Sequence, residues 1–142
     1  MHQAIKDLFD RYESQTNAAL AGQPDMAAVT DLYDQAFIAA SPAGIIAGQK
    51  DREFRDALAA GFARNRELGA TRVEIRDLRI MPIDPIHALA HVDWRAVYDT
   101  ADGQKQIDFT NTYLTRTDGD GTRVFGWITG DENEALREHG II

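Results

Sequence analysis

The sequence predicts an α+β fold in which a curved, mostly antiparallel sheet carries about three N-terminal helices on its concave face and encloses a pocket. Three observations predict it. Apolar residues recur at helical spacing within residues 2–68 and at strand spacing within 72–129. The strand-like segments are separated by hairpin-length breaks, which favours an antiparallel meander. The length of 142 residues suits one domain, 1–142, with a single core.

The first helix is expected from about Gln3 to Ala21. Ile5, Leu8, Phe9, Tyr12, Ala19 and Leu20 share helical spacing, and Gly22 supplies the stop. Pro24 and Asp25 open a shorter helix through Leu32, with Asp25 as N-cap and Met26, Val29 and Leu32 buried. Residues 35–40 read as a short strand ended by Ser41 and Pro42, and Ile45 to Ala47 as a second. The third helix, Lys50 to Leu68, places Phe54, Leu58, Gly61, Phe62, Asn65 and Leu68 on one face, where Gly61 reads as a close-packing point. The period then changes to two in Arg72–Ile83, Ile86–Thr100, Lys105–Thr117 and Thr122–Thr129. A last helix begins near Asp131, where Asp131 and Glu134 have capping-box spacing, and ends before Gly140.

The charge balance narrows the partners. Lys and Arg number 15 against 23 acids, for a net charge of −8. That disfavours nucleic acid and anionic membrane, which require a basic face. Cysteine is absent, which removes disulfides, thiol nucleophiles and thiolate-held metals. No apolar run has signal-peptide or membrane-span length, so a cytoplasmic protein is expected.

Strand alternation assigns the pocket wall. Ile107, Phe109, Asn111, Tyr113 and Thr115 share one side of their strand, and Ala88, Ala90, Val92, Trp94, Ala96 and Tyr98 one side of the preceding strand. These sides are assigned to the cavity. Asn111 stands out among bulky neighbours, because a buried amide must find a ligand, a water or a backbone group. The opposite side, with His87, His91, Asp93 and Arg95, is expected to face solvent or a second subunit.

Residues Pro24 to Ala36 running into a short strand, Ser41 and Pro42, Gly48 and Gln49 before the long helix, and the closing Trp127 to Glu132 together resemble the nuclear transport factor 2-like superfamily. The resemblance spans nearly the whole chain. It implies a cone-shaped, cystatin-like half-barrel, a pocket at its mouth, and frequent dimerisation through the sheet. The superfamily includes ketosteroid isomerases, whose general base is an Asp just before a Pro. Here that place holds Ser41 before Pro42, and a serine hydroxyl is no base near neutral pH. The resemblance sets Tyr12 at the place of the family's oxyanion-hole Tyr and Asn111 near that of its protonated Asp.

The resulting expectation is a small-molecule-binding domain for an apolar or aromatic, oxygen-bearing ligand. Tyr12, Trp94, Tyr98, Phe109, Asn111 and Tyr113 would form its site. The alternative is an isomerase, cyclase or dehydratase with His91 and Asp93, or Asp34, as general acid and base; a second is a dimeric interaction module without a ligand. His87, His91 and Asp93 offer a weaker metal reading, and no metal or cofactor is expected. The Asp118 to Gly121 stretch lacks the further ligands of a calcium loop and reads as a hairpin turn.

Overall fold

Helix α1 (His2–Leu20) lies along the concave face of a sheet, and its buried side is the one the spacing predicts. Ile5, Leu8 and Phe9 are fully buried, and burial of such side chains is worth roughly 1.5–3 kcal/mol each. The structure, a computed structural model, describes residues 1–142. Helix α2 (Met26–Thr30) follows, with the Asp25 carboxylate accepting from the Ala28 N–H as the N-cap reading requires. Strands β1 (Tyr33–Ser41) and β2 (Gly44–Gln49) form a hairpin before helix α3 (Arg52–Glu67). The meander is β3 (Ala70–Pro82), β4 (His87–Thr100), β5 (Gly103–Asp118) and β6 (Gly121–Ile128). Helix α4 (Glu132–Glu138) closes the chain, with Asp131 accepting from the Glu134 N–H. The Glu134 side chain turns to Arg137 instead of back to the cap.

The sheet has six strands in the order β2-β1-β6-β5-β4-β3. Every neighbouring pair is antiparallel except β1 with β6, which run parallel. That pairing joins the N-terminal hairpin to the meander, and strand spacing alone carries no signal for it. At the other end of the sheet, β3 would leave unpaired backbone groups. Helix α1 covers them: Asn17 bonds the Val73 N–H and C=O at 2.8 and 2.9 Å, and Glu13 accepts from the Ile75 N–H at 2.6 Å. These bonds close the part of the edge at Val73 and Ile75 to another strand.

Two apolar clusters form. The larger joins Ile5, Leu8 and Phe9 to Val29, Leu32, Val92, Trp94 and Tyr113. The smaller gathers Leu20, Ala70, Ala96, Tyr98, Ile107 and Leu136 under α4. Gly69 lets α3 turn into β3: it has φ of 102°, and its C=O accepts from the Asp99 N–H at 2.8 Å.

Gly61 departs from expectation. A methyl group there would meet nothing within 4 Å, so it is not a close-packing point. Helix α3 holds no fully buried residue: Phe54 packs against Tyr33 and Phe37, while the stretch from Leu58 to Asn65 borders open space between the clusters.

Candidate functional site

That space is a cavity of about 540 Å³ lined by 28 residues, 18 of them hydrophobic. The size suits a small organic ligand. Helix α1 contributes Tyr12, Gln15 and Thr16, and α3 contributes Leu58, Gly61, Phe62 and Asn65. The sheet supplies Trp94, Tyr98, Ile107, Phe109, Asn111 and Tyr113, and Asp131 and Glu132 stand where α4 begins.

One wall is a hydrogen-bonded aromatic cluster. The indole N–H of Trp94 donates to the Tyr113 hydroxyl at 3.0 Å, and the Asn111 amide donates to the same oxygen at 3.3 Å. Tyr33 donates to the Tyr12 hydroxyl at 3.0 Å. The Tyr12 and Tyr113 rings meet edge to face with centroids 5.4 Å apart. A phenol oxygen has two lone pairs and one hydrogen to give. With both lone pairs of Tyr113 occupied, its hydrogen has only Tyr12 or a ligand to go to. Tyr12 then keeps a hydroxyl hydrogen that no atom of the cluster accepts.

Burial, reinforced by the neighbouring phenol, pushes Tyr12 and Tyr113 well above the ordinary tyrosine value. Tyr33 is raised chiefly by burial as well. The three phenols are therefore neutral hydrogen-bond donors at physiological pH and cannot act as bases.

All six residues expected to hold a ligand line this cavity: Tyr12, Trp94, Tyr98, Phe109, Asn111 and Tyr113. Trp94, Tyr98 and Tyr113 are almost fully buried, whereas Phe109 is 37% exposed and stands at the mouth. The candidate acids and bases lie elsewhere. His91 and Asp93 point from the convex face of β4, opposite Trp94. His91 Nδ1 pairs with the Thr112 hydroxyl at 2.9 Å, not with Asp93. Asp93 is held by Arg79 at 2.7 Å and by Thr110 at 2.6 Å, which pulls its carboxyl down to about 2. A carboxylate so held is a poor proton acceptor. Asp34 accepts from the Gln35 N–H at 2.8 Å and does not line the cavity. The acid/base pair in the pocket is thus corrected: strand alternation puts His91 and Asp93 on the other face, and Asp34 is engaged by the backbone. His87 is equally remote, between Asp84 at 2.8 Å and Arg116 at 3.0 Å.

Sequence reasoning missed Tyr33 as a partner of Tyr12, and the α3 wall. The signal for α3 was present in Leu58, Gly61 and Phe62 on one face, but spacing cannot separate a face against a dry core from one against a cavity.

Comparison with known proteins follows the same outline. Residues 3–132 match a family model described as NTF2-like protein (DUF6841). No curated protein matches the chain. An NTF2-like protein with a cystatin-like fold from Novosphingobium aromaticivorans is 14% identical, with a TM-score of 0.69 over 99% of this chain and 88% of that one. An NTF2-like protein of unknown function from Shewanella oneidensis is 15% identical, with a TM-score of 0.66 over 92% of this chain and 98% of that one. A ketosteroid isomerase-like protein from Erwinia carotovora atroseptica is 16% identical, with a TM-score of 0.60 over 90% and 93% of the two chains. At such identities the shared property is the fold, the α+β half-barrel expected from the sequence.

Proposed function

This chain belongs to the NTF2-like protein family (DUF6841), and from that premise we propose that it binds a small, mostly apolar or aromatic molecule through a ligand oxygen. The observation that carries this reading is the donor cluster of Tyr12, Tyr113 and Asn111 on the wall of a largely apolar cavity. A buried hydroxyl hydrogen without an acceptor is costly, and a carbonyl, hydroxyl or ether oxygen would relieve it. Proton-transfer chemistry finds no support in the lining, whose carboxylates belong to Asp131 and Glu132 beside α4 rather than to the phenol cluster. No helix is long and apolar enough to cross a membrane.

The test is mass spectrometry of the gently purified native protein, followed by identification of anything released on denaturation. A stoichiometric organic molecule is expected, lost in Asn111→Leu while the circular dichroism spectrum is retained. An empty protein that hydrophobic carbonyl compounds do not stabilise against heat would refute the proposal.

A second reading concerns assembly and rests on a separate observation. One row of the convex face is apolar across the sheet, and the row beside it is apolar over β6, β1 and β2 before it continues as Thr112, His91 and Arg79. Met81, Leu89, Leu114, Gly126, Ile38 and Ala47 are neighbours in register, and beside them run Ile128, Ala40 and Ile45. Ile38, Ile128 and Met81 are about half exposed. The polar remainder of this face is internally neutralised, Arg76 and Arg95 by Asp108 and Arg79 by Asp77 and Asp93. We propose that a second copy of the chain covers these rows. Although each copy carries −8, such neutralised faces can meet without like charges in contact.

A further inference from the structure

The cavity has a second polar end, and its chemistry is opposite to that of the phenol cluster. Tyr98 is only 5% exposed, yet it is the one tyrosine of the chain whose hydroxyl makes no hydrogen bond to the protein; Tyr12, Tyr33 and Tyr113 are all bonded. Its side chain lines the cavity together with Asp131 and Glu132. Those two acids are the only charged residues in the lining, which holds no Lys, Arg or His.

The Asp131 carboxylate already caps α4, but Glu132 has no ion-pair or hydrogen-bond partner. The cations nearby are turned away from it. Arg64 donates to Asn133 at 3.1 Å, Arg137 to Glu134 at 3.1 Å, and Lys105 to the His139 carbonyl at 2.9 Å. The field at Tyr98 shows which charge prevails: burial raises this phenol first, the charge of Glu132 raises it further, and Arg64 opposes less strongly. An exposed, uncommitted carboxylate and a hydroxyl that opens into the cavity without a protein partner therefore stand at the same end of it.

The two ends are well separated. Trp94, which bonds the phenol cluster, lies four residues before Tyr98 on the same face of β4, roughly 13 Å at the rise of an extended strand. We infer that the cavity is bipolar and takes an elongated organic amine: an uncharged acceptor oxygen at the Tyr12 and Tyr113 end, an apolar body along Phe62 and Ile107, and a protonated amine at Tyr98 and Glu132. The amine gives one hydrogen to the Tyr98 oxygen and faces the Glu132 carboxylate. A ligand that ends in a carboxylate there would meet two like charges and is rejected. The acidic surface of the whole chain biases encounter the same way.

This inference rests on the binding reading above, and one experiment separates the two. The probes are three compounds with a para-methoxyphenyl ring and a four-carbon chain ending in ammonium, hydroxyl or carboxylate, titrated calorimetrically at low salt. The ammonium probe is expected to bind more tightly than the alcohol, by up to about fivefold, the upper range for a partly exposed ion pair. The carboxylate is expected to bind more weakly than either. Glu132→Gln is expected to bring the ammonium probe down to the alcohol's affinity, and Tyr98→Phe to weaken both. Equal binding of all three probes, a preference for the carboxylate, or an unchanged ammonium preference in Glu132→Gln overturns the amine assignment while leaving the pocket standing. Failure of all three to bind overturns the pocket reading and the amine assignment together.

Discussion

Tyr113 accepts from Trp94 and Asn111 at once, so the two donors depend on one oxygen. Tyr113→Phe leaves the indole N–H of a residue only 3% exposed without its acceptor. The expected cost is about 1–3 kcal/mol, read as a lower urea midpoint with unchanged slope, together with loss of ligand uptake. Stability equal to the parent would mean that the indole finds another acceptor and that the cluster is less tightly specified than its distances indicate. At this scale the sequence was informative about Asn111, an amide in an apolar alternation. It could not pair Tyr12 with Tyr33, because they stand 21 residues apart and meet only through the packing of α1 on the sheet.

Helix α3 carries an apolar face without a fully buried residue, and Gly61 explains part of it. A methyl group at 61 meets nothing, and alanine is a better helix former than glycine by up to about 1 kcal/mol. Gly61→Ala is therefore expected to raise the thermal midpoint. Gly61→Leu should instead occupy cavity volume, keeping the helical spectrum while ligand uptake falls. Destabilisation by alanine would restore the close-packing role that the spacing of α3 suggested. The helix itself was legible, from Asp51, whose carboxylate accepts from the Phe54 N–H, to the stop at Gly69. What its apolar face meets was not, since amphipathic spacing is identical for a face on a core and a face on a cavity.

For the molecule as a whole, the apolar patch of the convex face makes assembly measurable. Ile128 is 53% exposed, so Ile128→Glu should fold normally and shift sedimentation from dimer to monomer. A parent protein that already sediments as a monomer would overturn the proposed pairing of copies. The sequence by itself determined the order of helices and strands, the meander, the caps at Asp25 and Asp131, and which residues of β4 and β5 share a side; which of the two sides of β4 faces inward was left to the packing. Each of these follows from local propensity and from a side-chain period of two or 3.6, which neighbours in sequence are enough to set. Only the tertiary structure decided that β1 joins β6 in parallel, that Asn17 and Glu13 bond the β3 edge at Val73 and Ile75, and that His91 and Asp93 are engaged by Thr112 and Arg79. Only it left a hydroxyl hydrogen on Tyr12 and a bare hydroxyl on Tyr98 facing one cavity. These depend on which distant surfaces come to lie against each other, and on which polar groups are left without a partner once they do.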